Sequence, residues 1–176
     1  MAKHASHLIC PYLFHHSHEA RKRRYKGKGK GKDALTFGEV FKLYIQYKLE
    51  KQGIPVTTEQ GISYMGISGR YDILIPGKVI EVKYSTRLTP EELIEIYKPQ
   101  AAFYAIALGT REAQIIAGNP VIDKIKIYTM DQNEIKRLSR YISKVVSGYD
   151  RPRKTKYCDL CLLKNRCPVF KEKQGA

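Results

Sequence analysis

Asp72, Glu81 and Lys83, followed by Gln100 and Tyr104, are the residues of this chain whose types and spacing suit chemistry. Two carboxylates nine positions apart offer hard oxygen ligands to Mg²⁺ or Mn²⁺. A lysine two residues beyond the second acid can orient an attacking water and offset charge that develops on a phosphate. These are the groups that metal-assisted cleavage of a phosphodiester requires. The run Val79-Ile80-Glu81-Val82-Lys83-Tyr84 reads as a strand over 79–85 after a Pro76-Gly77 turn. On a strand, Glu81 and Lys83 project to one face and Ile80, Val82 and Tyr84 to the other. The charged pair is therefore expected to line a site while the apolar residues face a core. Asp72 falls in a second strand-like run, 70–75, and a hairpin through Ile75-Pro76-Gly77-Lys78 would bring the two acids together. Gln100 and Tyr104 lie four apart in a helical stretch and so share a face.

An E-x-K pair alone is common on half-exposed strands; the added acid and the Gln-x-x-x-Tyr pair make the set specific. Gly69-x-x-Asp72, Glu81-Val82-Lys83 and Gln100-x-x-x-Tyr104 together resemble the RecB-like branch of the PD-(D/E)XK nucleases.

Four cysteines narrow the reading: Cys10, then Cys158-Asp-Leu-Cys161-Leu-Leu-Lys-Asn-Arg-Cys167-Pro168. A C-x₂-C pair presents two thiolates to one metal, and a third plus a distant fourth completes a four-thiolate shell. Buried inert cysteines fit poorly with three thiols inside a basic tail, and a disulfide scaffold fits poorly with a long chain lacking a secretory signal. Zinc and an iron–sulfur cluster both remain open on spacing alone, and five histidines near Cys10 (His4, His7, His15, His16, His18) keep a mixed zinc site in play.

One cysteine before the nuclease-like core and C-x₂-C-x₅-C-P after it is similar to the Cas-four family, the RecB-like nucleases of CRISPR–Cas adaptation. The resemblance runs from Cys10-Pro11 to Cys167-Pro168. It implies a four-iron, four-sulfur cluster on Cys10, Cys158, Cys161 and Cys167, with Zn²⁺ as the alternative. It implies Mg²⁺ or Mn²⁺ on Asp72, Glu81 and the Val82 carbonyl, Lys83 assisting the hydrolytic water, and Gln100 and Tyr104 positioning substrate or site groups. It further implies exonucleolytic processing of single-stranded DNA ends during spacer acquisition, in partnership with integrase subunits. A viral relative or a stand-alone repair nuclease would carry the same motifs. Such relatives carry Gly-x-x-x-His on the first core helix, where the histidine is a metal ligand; here Gly38-Glu39-Val40-Phe41-Lys42 ends in lysine. An ammonium has three donors and no lone pair for a metal. Glu39 is a candidate replacement, although Thr36-x-x-Glu39 also reads as a capping box. Weak or lost catalysis in a DNA-binding module is thus the rival reading, with a zinc-bound nucleic-acid adaptor behind it.

At 176 residues the chain has the size of one domain. We divide it into an N-terminal segment (1–33), a nuclease-like core (34–148) and a C-terminal cysteine segment (149–176). The expected fold is α/β, a mixed central sheet flanked by helices, with the cluster joining the two chain ends. Arg21 to Lys32 contribute eight positive charges of the formal +15, which leaves +7 for the rest. A basic body suits a nucleic-acid channel. Lys26-Gly-Lys-Gly-Lys-Gly-Lys32 is not a Walker loop, since position 26 is lysine and Asp33 follows Lys32. No apolar run approaches a membrane span and no signal peptide is evident, so a cytoplasmic location is expected. Helices are expected from Thr36 to Gly53, with Phe37, Phe41, Tyr44 and Ile45 on the apolar side, from Thr89 with a kink or restart at Pro99, and from Asp131 to Gly148. Strands are expected near 62–67, 70–75, 79–85, 114–117 and 124–128. Lys136, Arg137, Arg140 and Lys144 read as a solvated helix face.

Overall fold

The computed structural model describes residues 3–16, 32–152, 154–155, 157–158, 161 and 163–171. The Gly/Lys stretch 26–31 lies outside them. The strands are β1 (Lys3–His4), β2 (Thr57–Thr58), β3 (Gly61–Tyr64), β4 (Ile67–Arg70), β5 (Ile73–Ile75), β6 (Lys78–Tyr84), β7 (Glu112–Asn119) and β8 (Lys124–Met130). The helices are α1 (residues 11–16), α2 (Lys32–Lys51), α3 (Pro90–Leu108), α4 (Gln132–Val146) and α5 (Pro168–Lys171). Five strands form a mixed sheet in the order β2-β5-β6-β7-β8, in which only β6 and β7 run parallel; β1, β4 and β3 form a second, small sheet.

Local chemistry accounts for most of these boundaries. Pro76 and Gly77 close the β5–β6 hairpin, Ile75 facing Lys78 across it and Gly77 taking the left-handed φ of 76°. Thr89 and Glu92 form the expected capping box at α3, with Pro90 in the first helical position. Asp131 caps α4 by accepting the Glu134 amide at 2.8 Å.

Several expectations about the elements need correction. The run 62–67 is split by a turn at Met65-Gly66, both with positive φ. Asp72 is not on a strand but in the bend between β4 and β5. Helix α3 continues through Pro99. Helix α2 starts at Lys32, so position 36 lies inside it and is not its cap.

Both faces of the large sheet are covered. Val79, Ala113, Ile115 and Ala117 join the main core with α3 and α4. Ile73, Ile80, Val82 and Ile116 form a smaller core under Phe41, Ile45 and Leu49 of α2. Phe37 and Tyr44, expected on the core side, are more than half exposed. The N-terminal segment is part of the main core through Ala5, Leu8, Ile9, Leu13 and Phe14. It is tied to α4 by Tyr141 OH donating to the Leu8 carbonyl (3.2 Å) and to the C-terminal segment by Tyr12 OH donating to the Arg166 carbonyl (3.2 Å). Lys136, Arg137, Arg140 and Lys144 are exposed, as expected.

Candidate active site

Alternation along β6 sends Glu81 and Lys83 to the α3 side of the sheet, where Glu81 is only 1% exposed. The charged face is thus covered by a helix instead of lying open. Lys83 Nζ donates to Glu81 Oε1 and also stands 4.7 Å from the centre of the Tyr97 ring. The second carboxylate oxygen, Glu81 Oε2, is buried and has no hydrogen-bond partner among the described residues, and the same holds for Gln100 Oε1. Burial raises the Glu81 pKa to about 8; Asp72 pushes the same way and Lys83 opposes it. Burial works against the Lys83 charge, but Glu81, Asp72 and Tyr97 hold its pKa above the usual lysine value.

Asp72 reaches the same spot from the bend after β4. Its Oδ2 accepts the Val82 amide at 2.8 Å. The β5 ladder ends at the Ile73–Ile80 pair, so among the described residues Val82 has no strand partner on that edge. A residue's N–H and C=O leave a strand on the same edge, so the Val82 carbonyl emerges beside Asp72. Asp72 O in turn accepts the Glu59 amide at 3.2 Å.

Gln100 and Tyr104 are brought to the site from α3, but both are buried, Tyr104 completely. Gln100 Nε2 donates to the Tyr104 hydroxyl at 3.1 Å, and the Arg70 backbone hydrogen-bonds the same hydroxyl. Burial first, then the Glu81 charge, lift the Tyr104 pKa to about 12. Strand β4 passes so close that a Cβ on Gly69 would sit 2.7 Å from Tyr104 Cε1 and 2.9 Å from Ala5 Cβ. That contact explains the glycine three residues before Asp72. Gln100 and Tyr104 therefore support the backbone that aims Asp72.

Two site residues were missed from the sequence. Tyr97 lies on the Gln100/Tyr104 face at helical spacing, a signal that was present in the chain. Glu59 has no such local signal; it approaches from the turn after β2 and forms an ion pair with Lys42. Glu39, the candidate replacement ligand, is exposed to solvent, so the acid that the fold delivers beside Lys42 is Glu59.

The donor set fits a divalent cation. Asp72, Glu81 and the Val82 carbonyl offer hard oxygens, Asp72 and the carbonyl at the β6 edge and Glu81 on the adjoining face, and an orphaned carboxylate oxygen in the interior is a group that a bound cation satisfies.

Away from this site, Cys10, Cys158, Cys161 and Cys167 line one pocket with Tyr12, Leu13, Tyr157 and Val169. The Thr155 amide donates to Cys158 Sγ at 3.2 Å. Burial raises the Cys161 thiol pKa, and the other three cysteines raise it further. Among the described residues no three His, Cys, Asp or Glu side chains already stand as a formed metal-binding group. The thiols share a pocket without being drawn into a tetrahedron.

No protein-family model and no curated protein matches the chain. Solved structures do. That of SSO0001 matches at a TM-score of 0.64 and 20% identity, over 95% of this chain and 86% of the other. LHK-Exo, an alkaline exonuclease from Laribacter hongkongensis, solved in complex with dAMP, matches at 0.56 and 14%, over 83% and 86%. A phage-related exonuclease from Haemophilus somnus 129PT matches at 0.56 and 14%, over 85% and 94%. The chain thus has the α/β fold that these exonucleases share. Among the described residues no helix is long and apolar enough to cross a membrane.

Proposed function

We propose that this protein is a divalent-metal-dependent deoxyribonuclease that trims DNA ends. The observation that carries the reading is Glu81 Oε2, a buried carboxylate oxygen without a partner among the described residues, on a carboxyl that feels the charges of both Lys83 and Asp72. Asp72, Glu81 and the Val82 carbonyl would hold Mg²⁺ or Mn²⁺. When bound, the ion supplies Lewis-acid stabilisation of a phosphoryl oxygen and a more acidic water. The chain's own residues supply orientation. Glu81 Oε1 and the Tyr97 ring fix the Lys83 ammonium, which donates a hydrogen bond to the attacking water or to the developing phosphate charge. The Val82 amide fixes Asp72, and Tyr104 with Gln100 fixes the β4 backbone that leads to it.

The resemblance to the Cas-four family supports a finer statement: exonucleolytic action on single-stranded ends during CRISPR spacer acquisition, with integrase subunits as partners, in the cytoplasm. The fold shared with proteins described as exonucleases supports the coarser part of it. The cysteine pocket supports a cluster at Cys10, Cys158, Cys161 and Cys167, either four-iron, four-sulfur or Zn²⁺. Tyr12, on the segment after Cys10, already holds the segment carrying the other three, so the cluster would lock a contact that the fold makes.

Degradation of end-labelled single-stranded DNA with Mn²⁺, against EDTA, tests the activity. Anaerobic purification followed by a visible spectrum and iron and zinc analysis tests the cluster. The second reading, a DNA-binding module with weak catalysis, is favoured by Lys42, which stands where relatives carry a ligand. DNA retention without Mn²⁺-dependent cutting would select it.

A further inference from the structure

We propose that Lys42 is a fixed cation of the carboxylate site, clamped by Glu59, that grips a DNA phosphate directly beside the single divalent ion. The inference rests on the nuclease reading above and adds two residues to it.

The placement of Lys42 is not that of a solvated surface lysine. Its side chain is 13% exposed and ion-paired to Glu59 Oε1. It lies close enough to Glu81 to act on that carboxylate electrostatically. Glu59 is held in turn: its backbone has a left-handed φ of 53°, its amide donates to Asp72 O, and its other oxygen meets Arg70 at 3.8 Å. A non-glycine residue in that conformation is over-determined by its surroundings, and such positions cluster at functional sites. The same hydrogen bond ties the aim of Asp72 to that of Glu59. Lys83 keeps a separate place, on Glu81 and beside the Tyr97 ring, so Lys42 is a second, independently held cation.

The charge balance works against a second ion. With Asp72, Glu81 and Glu59 all ionised, their three negative charges are already met by Lys42, Lys83 and Arg70. One divalent ion leaves the cluster positive enough to take a phosphodiester anion, and a second would add only repulsion. Lys42 therefore does electrostatically what a further cation would do, and Glu59, the positioning residue, keeps it from neutralising Glu81 instead.

The full chain is tested in two binding measurements, neither of which needs turnover. Mn²⁺ is titrated calorimetrically into wild type, Lys42→Gln and Glu59→Gln without DNA. Separately, anisotropy reports binding of a labelled single-stranded oligonucleotide in EDTA. Lys42→Gln should bind Mn²⁺ about tenfold more tightly and DNA about tenfold more weakly. Glu59→Gln should shift Mn²⁺ affinity the opposite way, and Lys42→Arg should keep wild-type DNA binding. Opposite signs are the signature, because a merely structural ion pair loses both affinities together. Mn²⁺ and DNA affinity falling together on Lys42→Gln, or neither changing, overturns the proposal. Should Lys42→Gln not fold, Glu59→Gln at wild-type Mn²⁺ affinity overturns it and a weakened affinity upholds it. Wild type that binds no Mn²⁺ but loses DNA affinity on Lys42 replacement sinks the nuclease reading and leaves the phosphate contact standing.

Discussion

Burial behind α3 gives Glu81 an affinity for protons that a free carboxylate lacks, raising its pKa from 4.5 to about 8. Between those two values the folded, metal-free chain binds more protons than the unfolded one. Its stability therefore falls as pH rises from about 4.5 to about 8, and the penalty stays constant above that. Glu81→Gln removes the titration while keeping the shape. Thermal melts in EDTA should show the variant above wild type at pH 8.5, with the gap closing toward pH 5. Adding Mn²⁺ should lift wild type alone. A pH-independent gap would mean that Glu81 is not desolvated. The acid–lysine pair and its shared face were legible in the sequence because period-two alternation needs only neighbouring residues. Glu59 was not, since its place depends on a positive φ and an ion pair across 17 positions.

At the scale of elements, the contact between β4 and α3 is what couples the fold to Asp72. Gly69→Ala would force its Cβ against the Tyr104 ring and Ala5, and overpacking of this kind costs about 1–3 kcal/mol. Urea melts should show that loss, and cleavage should fall further than stability alone explains, because the displaced strand carries Asp72. Undiminished stability would show that β4 does not depend on this approach. Helix α3 shows where local rules give way. A proline inside a helix costs roughly 3 kcal/mol, yet α3 packs against β6, β7 and α4 along its length and stays continuous. Helix α2 shows a different limit. Phe41, Ile45 and Leu49 face the sheet, while Phe37, Val40, Leu43, Tyr44 and Tyr47 are exposed. Two apolar stripes on one helix give no periodicity that tells which is inward.

Across the whole molecule, a formal charge of +15 implies that DNA affinity is dominated by phosphate contacts. With about six such contacts, raising salt from roughly 50 to 200 mM should weaken binding on the order of a thousandfold. A flat salt response would exclude a basic DNA channel. The two chain ends meet through Tyr12 and Arg166, and the cysteines gather beside that contact. Replacing Cys158 or Cys161 with serine should lower the melting temperature and, if iron is present, bleach the protein; unchanged melting would deny the pocket a structural role. The α/β class was legible from strand–helix alternation, and the approach of Cys10 to the C-terminal cysteines was expected from the family resemblance. The second sheet and the buried N-terminal segment were not, because a two-residue strand and a short apolar run carry no readable period.

The most direct test of the site is single-turnover degradation of end-labelled single-stranded DNA in saturating Mn²⁺ by wild type, Glu81→Gln and Lys83→Ala. The geometry predicts that wild type cuts, that both variants lose at least about a hundredfold in rate, and that both still bind the DNA. Either variant cutting at the wild-type rate, or a wild type inert under these conditions, would contradict the assignment of Glu81 and Lys83 to the chemistry.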